Sequence, residues 1–322
     1  MSNPPSSLAS GASPRSAFPS PADWLPPVVF AGWWFQNLRF HWSENAEFHF
    51  GYIVAMLVAY LVWDRWPRMP KDDQPAPVWM SWGLVLAGFP LVLFSELYRH
   101  ALVRTATSAM ALSLGTTCFV SAYLLARRGP GTLRHLLFPI LFAFVAVPIP
   151  NIVWKPIVIS LQGMVSFFNV ELLNLGGIPA VREGSVIRLP RCRVGVDEAC
   201  SGIRSLQSSI MVALFIGDQM LRRFGWKAFF MVAGVALAIV GNIGRSLYLS
   251  LTAHWHGPDA LKAVHDSAGW SVLVFTFAGL AALAWLASKL EVAAERYAAG
   301  ADVESESESE SGAEAADEGR TP

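Results

Sequence analysis

Apolar segments of about 20 residues recur along this chain, separated by charged residues or by Pro and Gly. A helix of that length crosses the hydrocarbon core of a bilayer, which is about 30 Å thick, at 1.5 Å per residue. The pattern therefore predicts an all-α integral membrane protein with about eight transmembrane helices. We place these helices at residues 48–66, 78–98, 107–126, 133–153, 156–175, 203–221, 227–252 and 269–288.

Two segments depart from this pattern. The aromatic stretch from Trp24 to Phe40 is short and contains Pro26 and Pro27. It is therefore better suited to an interfacial or re-entrant helix than to a further span. Residues 178–197 mix apolar residues with arginines, which predicts a small two-stranded β-ribbon outside the membrane.

Composition and charge are those of a membrane protein. Hydrophobic residues make up 53% of the chain and charged residues only 15%, whereas soluble domains carry about a quarter charged residues. The formal net charge is zero, but residues 302–318 contain eight carboxylates and no base, so the rest of the chain is basic. A basic membrane protein suits anionic lipid headgroups and requires no nucleic acid as a partner.

These features divide the chain into three parts. Residues 1–47 are expected to form a disordered Ser/Pro-rich leader and the interfacial segment, residues 48–290 the multispan domain, and residues 291–322 an acidic disordered tail. The leader lacks the apolar core of a signal peptide, so the first span is expected to direct the chain to the membrane. Basic residues are divided almost evenly between the two sets of loops, and the positive-inside rule therefore leaves the orientation open.

Cys200 is the candidate nucleophile. It lies just before the helix predicted to begin at residue 203, where the helix dipole and free N–H groups lower a thiol pKa. Arg204 would add to this effect, whereas the two acidic residues before Cys200 would oppose it. With only three cysteines, the chain has neither a disulfide framework nor a CxxC metal site. Cys192 could form a reversible disulfide with Cys200 or simply pack.

Arg245 and His265 are the candidate partners of this thiol. Arg245 lies in the seventh predicted span, where a guanidinium is costly unless it meets a partner or a polar cavity. His265 precedes the eighth span, and counting the spans places both residues on the same membrane face as Cys200. A thiolate, a fixed cation and an imidazole are the groups needed to attack a carbonyl, stabilise an oxyanion and move protons.

Other roles remain open for residues near this face. His254 or His256 could replace His265 as the acid/base. With Asp259, these histidines also permit a zinc site, but their spacing is irregular and no HExxH helix exists, so we expect no metal and no cofactor. A transporter subunit for surface polysaccharide export would instead form a path from intramembrane polar residues such as Glu171, Asn242 and Arg245. A non-catalytic scaffold subunit would recruit a partner through the acidic tail.

Three blocks of the sequence resemble the signatures of the exosortase/archaeosortase family. They are Glu198-Ala199-Cys200-Ser201-Gly202-Ile203-Arg204-Ser205-Leu206, then Asn242-Ile243-Gly244-Arg245, then His265 before Gly269. The layout of the spans and the ribbon before the cysteine are similar too. The resemblance covers roughly residues 48–290 and leaves out the leader and the acidic tail.

The resemblance implies a PEP-CTERM-type sorting transpeptidase in the inner (plasma) membrane, with its active site facing the periplasm or exterior. It would recognise membrane-anchored proteins by a C-terminal signal made of a Pro-Glu-Pro-like motif, a transmembrane helix and a basic cluster. It would cut at the motif through a thioacyl intermediate and transfer the new C-terminus to a surface acceptor that the sequence does not identify. Cys200 would be the nucleophile, Arg245 the oxyanion stabiliser and His265 the general acid/base. Arg204 and Asn242 are the expected substrate-binding residues.

Overall fold

The computed structural model describes residues 21–45, 48–70, 73–101, 103–190, 192–195 and 203–318. For residues 21–23, 203–205, 258–259, 261–262, 265–266, 295 and 298–318 it describes the backbone only. The chain folds as two compact units, Met1–Pro148 and Ile149–Pro322.

The described residues of the first unit form five α-helices. They are α1 (Pro21–Glu44), α2 (Gly51–Arg65), α3 (Val78–Ala101), α4 (Ala106–Arg127) and α5 (Pro130–Phe142), with short 3₁₀ helices at Trp66–Arg68 and Ala143–Ala146. Helices α3 and α4 approach each other closely at Gly88 and Gly115. A Cβ atom on Gly88 would lie 3.0 Å from the carbonyl oxygen of Gly115, so the absence of side chains allows this contact.

Helix α1 contains the segment for which the sequence predicts an interfacial or re-entrant helix. It continues through Pro26 and Pro27 and packs along α4, where the indole of Trp34 donates a 2.9 Å hydrogen bond to the Ser113 hydroxyl. Phe30 contacts Phe119 further along α4, with 5.6 Å between the ring centroids. These contacts reach the middle of an apolar helix, so α1 is not confined to the level of the α4 terminus. The interfacial or re-entrant placement stays a prediction, and these contacts show that aromatic residues of the segment pack between helices.

The second unit combines four helices with a small antiparallel sheet. Its elements are α6 (Asn151–Leu175), β1 (Val181–Glu183), β2 (Val186–Arg188), β3 (Arg193–Gly195), α7 (Ile203–Met220), α8 (Phe224–His256) and α9 (Pro258–Glu318). Helices α7 and α8 form an antiparallel pair, and a Cβ atom on Gly234 of α8 would lie 3.3 Å from the Cβ of Ala213 in α7. The short connection between them brings the beginning of α7 and the end of α8 to the same end of this unit.

The sheet has three strands where the sequence analysis predicts a two-stranded ribbon. Strand β2 lies between β1 and β3, and Ile187 faces Val194 in the β2–β3 register. The third strand was missed because it closely follows Pro190 and because its pairing with β2 is not visible in the local sequence. Ile187 and Val194 belong to a buried cluster that also contains Ala253 of α8. This cluster fixes the sheet against the helices of its unit.

Within the described ranges, five helices are long and apolar enough to cross a membrane by length and composition. They are Val78–Ala101, Ala106–Arg127, Asn151–Leu175, Phe224–His256 and Ser267–Ala294. The other three predicted spans also coincide with helices, but α2 has 15 residues, α5 ends at Phe142, and α7 carries Arg204 and Asp218 within its 18 residues. The protein is thus a mostly helical membrane protein, and the count of eight spans stays a prediction.

The C-terminal segment also differs from its predicted state. The sequence analysis predicts disorder from Asp302, whereas α9 continues as a helix to Glu318. No proline interrupts this stretch, and Glu and Ala are both good helix formers. Composition alone therefore favoured disorder while the local propensities permit a helix.

Glu291 of α9 joins that helix to the connection between α7 and α8, and removing it should destabilise the second unit. Its carboxylate is 3% exposed and accepts hydrogen bonds from the backbone N–H groups of Arg222 and Arg223, at 3.1 and 2.6 Å. We expect Glu291→Ala to lower the free energy of unfolding by about 1–2 kcal/mol, the usual cost of losing such a cap. Thermal unfolding in detergent would show this as a lower Tm. Lys289→Ala, at an exposed position of the same helix, is the control. An unchanged Tm for Glu291→Ala would contradict a stabilising role.

Candidate active site

Arg245 extends from the C-terminal half of α8 to the beginning of the apolar part of α9. A Cβ atom on Gly269 would lie 3.6 Å from Nη2 and 3.9 Å from Cζ of Arg245. The guanidinium therefore lies directly against the Gly269 backbone, and a side chain longer than that of alanine would compete with it for space. His265 precedes Gly269 by four residues, which is one turn of α9.

Asn242 lies one turn before Arg245 on the same helix and is 2% exposed. Neither its amide nitrogen nor its amide oxygen has a hydrogen-bond partner among the described residues. Leaving buried polar atoms without partners costs roughly 1–3 kcal/mol, and such groups are uncommon in folded proteins. The amide nitrogen of Asn242 can therefore donate hydrogen bonds to a ligand, and its amide oxygen can accept them.

Asn242 is the first residue of a polar line on α8, which we define as Asn242, Ser246, Ser250 and His254. Its members follow each other at intervals of four residues, so they share one side of the helix. Ser246 is 4% exposed and Ser250 is fully buried. In the described part of the chain, Ser250 Oγ and His254 Nδ1 also have no hydrogen-bond partner. The four-residue spacing within an apolar helix is a signal that the sequence analysis did not use.

The sheet covers the end of α8 that carries this line. The thiol of Cys192 lies 3.7 Å from the carbonyl oxygen of Ala253, and both residues contact the cluster that includes Ile187. Burial raises the pKa of the Cys192 thiol above its ordinary value. Cys192 is therefore a protonated packing residue at neutral pH, which favours the packing alternative for it.

The structure describes some of the predicted site residues in full and others only in part. Arg245 and Asn242 are fully described in α8, whereas only the backbone is described for Arg204, the second residue of α7, and for His265 in α9. Cys200 lies outside the described residues. The structure thus places Arg245 against Gly269, where the apolar part of α9 begins. The meeting of Cys200, Arg245 and His265 stays a prediction.

No group of three or more His, Cys, Asp or Glu residues is placed to hold a metal ion within the side chains that the structure describes. The zinc alternative involved Asp259 and His265, whose side chains are not among them. His254 is half-buried on the polar line, and His256 is exposed at the end of α8. Of the two alternative histidines, His254 is therefore the one that shares the buried side of α8 with Asn242.

Comparison with known proteins gives one match. The family model described as transmembrane exosortase matches residues 42–282, which include α2 to α8 and the first half of the apolar part of α9. No curated protein and no solved structure matches the chain. The matched region contains every predicted site residue and excludes most of the leader and the acidic tail. The chain therefore belongs to the transmembrane exosortase family.

Proposed function

We propose that the chain is a membrane-embedded cysteine transpeptidase. It cleaves exported proteins at their C-terminal sorting signals and transfers the new C-terminus of each protein to a surface acceptor. The observation that carries the proposal is the contact between the Arg245 guanidinium and Gly269, one turn beyond His265. It joins two of the three signature blocks at one end of the second unit. Family membership supports the same reaction class.

The chemistry follows from the three residue types. His265 takes the proton of the Cys200 thiol, and the thiolate attacks the scissile carbonyl carbon. Arg245 stabilises the negative charge that develops on the carbonyl oxygen. The C–N bond then breaks as His265 returns the proton to the leaving amine, which leaves a thioester between the new C-terminus and Cys200. A nucleophile on the acceptor attacks this thioester and restores the thiol.

Asn242 and Arg204 have supporting roles in this proposal. Asn242 presents a buried amide without a hydrogen-bond partner among the described residues, and a peptide backbone offers the matching N–H and C=O groups. Arg204, in the first turn of α7, would favour the thiolate of Cys200 and attract an acidic group of the signal. The polar line on α8 gives an extended substrate further partners near Arg245.

Substitution of Cys200 tests the reaction class directly. We expect Cys200→Ala and Cys200→Ser to abolish cleavage of a co-expressed reporter with a Pro-Glu-Pro-like C-terminal signal. Cys192→Ala and Cys118→Ala serve as matched controls and should retain cleavage at equal membrane levels. The readout is the ratio of cut to uncut reporter on an immunoblot. Full cleavage by Cys200→Ala would remove Cys200 from the mechanism.

A further inference from the structure

The first unit contains a basic cavity that the proposed reaction does not use. It lies between the C-terminal ends of α1 and α3 and the beginning of α4, and it is a small, shallow recess that is open to the outside over part of its surface. Its polar lining is formed by Asn37, His41, Ser95, Arg99, Arg104 and Ser108. The cavity suits a small polar group with a negative charge.

Arg99 is oriented within this cavity by its neighbours. Its Nη1 donates a 3.2 Å hydrogen bond to Asn37 Oδ1, and its Nη2 pairs with Glu96. The remaining Nε is buried and has no hydrogen-bond partner among the described residues. Glu96 compensates part of the charge of Arg99, but one donor remains available to an anion.

Arg104 supplies the second positive charge. Its guanidinium lies 4.8 Å from the ring centroid of Phe40, and its side chain is exposed. His41 is half-buried beside it, and burial followed by the charge of Arg104 lowers the pKa of the imidazole. His41 is therefore neutral at neutral pH and contributes hydrogen bonding. The cavity thus carries the charges of Arg99 and Arg104, and Glu96 beside it offsets that of Arg99, which leaves the site positive overall.

The position of the cavity along the helices indicates the source of the anion. Arg99 lies in the last turn of α3, and Arg104 lies just before α4 begins at Ala106. Both helices are long and apolar enough to span the membrane, so these arginines lie near the level of lipid headgroups. Thr105 and Ser108 already cap α4, and the arginine side chains are therefore the donors left for a ligand.

We propose that this cavity binds the phosphate group of an anionic phospholipid, with Arg99 and Arg104 as its ligands. Basic pockets between membrane helices bind lipid phosphates in this manner, and arginine forms strong charge-assisted hydrogen bonds with phosphate oxygens. Leu97 lies two residues before Arg99 and Val103 directly before Arg104, and their exposed apolar side chains suit the acyl chains.

Lipid titration of the full-length protein tests this proposal. The protein in neutral detergent is titrated with phosphatidylglycerol, with phosphatidylcholine and with inorganic phosphate, and bound molecules are counted by native mass spectrometry. We expect phosphatidylglycerol to bind more tightly than phosphatidylcholine. Arg99→Gln/Arg104→Gln should weaken phosphatidylglycerol binding about tenfold or more. Arg104→Gln alone changes an exposed residue and provides a variant that keeps the fold.

Arg222→Gln/Arg223→Gln is the matched control, because it removes two exposed arginines at the connection between α7 and α8. It should leave phosphatidylglycerol binding unchanged. Equal binding by wild type and both Arg104 variants, or an equal loss in the control, would overturn the site. Binding of inorganic phosphate at Arg99 and Arg104 without any binding of phosphatidylglycerol would overturn the lipid as its ligand.

Discussion

Arg245→Gln is expected to lower the rate of signal cleavage about 100-fold or more, because losing an oxyanion donor has an effect of this size. The fall should occur in kcat with little change in KM, since an oxyanion forms only along the reaction path. Arg245→Lys should give an intermediate rate, because an ammonium group keeps the charge but not the planar fork of donors. Timed cleavage of the reporter in membranes from cells with matched enzyme levels measures both variants.

Arg222→Gln is the control for the loss of a positive charge, and it should cleave at the wild-type rate. Its side chain is exposed at the far end of the α7–α8 pair. A wild-type rate for Arg245→Gln would contradict the role of Arg245 in the reaction. A variant that has lost its fold is recognised separately by a lower Tm and a reduced membrane level.

Gly269→Leu is expected to reduce cleavage by about the same factor as Arg245→Gln, roughly 100-fold, although Gly269 itself has no functional group. A Cβ atom at this position would lie 3.6 Å from Nη2 of Arg245, which is ordinary contact distance. Gly269→Ala should therefore retain most activity, whereas the longer leucine side chain should displace the guanidinium. The same timed cleavage assay distinguishes the two variants.

Gly225→Leu is the matched control, because a Cβ atom on Gly225 meets no described atom within 4 Å. It introduces the same side chain into the first turn of α8, far along the helix from Arg245, and should leave cleavage near the wild-type rate. The double variant Arg245→Gln/Gly269→Leu should be no slower than Arg245→Gln alone, since both changes remove one interaction. Additive losses in the double variant would show that Gly269 acts through another group.

The helices were predictable from the sequence because backbone groups in lipid must be satisfied within each spanning helix. The predicted span at 227–252 lies within α8, and the predicted span at 269–288 lies within α9. The ends were less predictable. Helix α8 continues to His256, and α9 begins at Pro258, so the predicted loop around His265 is helical. Hydropathy does not detect helical turns that extend beyond the apolar core.

Packing between helices was less accessible than their existence. Trp34 and Phe30 bind α1 to α4, but their aromatic side chains alone also fit an interface with lipid headgroups. The third strand was missed for a similar reason, because its evidence is the pairing of Val194 with Ile187 and not the sequence around Val194 alone. Both features depend on residues that are distant in sequence, and local patterns carry little information about them.

The candidate site was predicted as a set of residues without its geometry. Arg245 was selected because a guanidinium within an apolar helix requires a partner, and the structure shows that its guanidinium lies against Gly269. Gly269 was noted only as the beginning of a span and as the end of the third signature block, because a glycine carries no chemical signal of its own. The alignment of Ser246 and Ser250 with Asn242 follows from their four-residue spacing, but the burial of this side of α8 is visible only in the structure.

Detection of the thioester on Cys200 tests the central claim most directly. Protein that carries Cys118→Ala and Cys192→Ala would be purified after brief co-expression with the reporter, denatured in acid and digested for mass spectrometry. We predict that the Cys200 peptide carries the new C-terminal segment of the reporter and that neutral hydroxylamine releases it. Efficient cleavage by this protein with an unmodified Cys200, or with the segment attached to another residue, would contradict the mechanism.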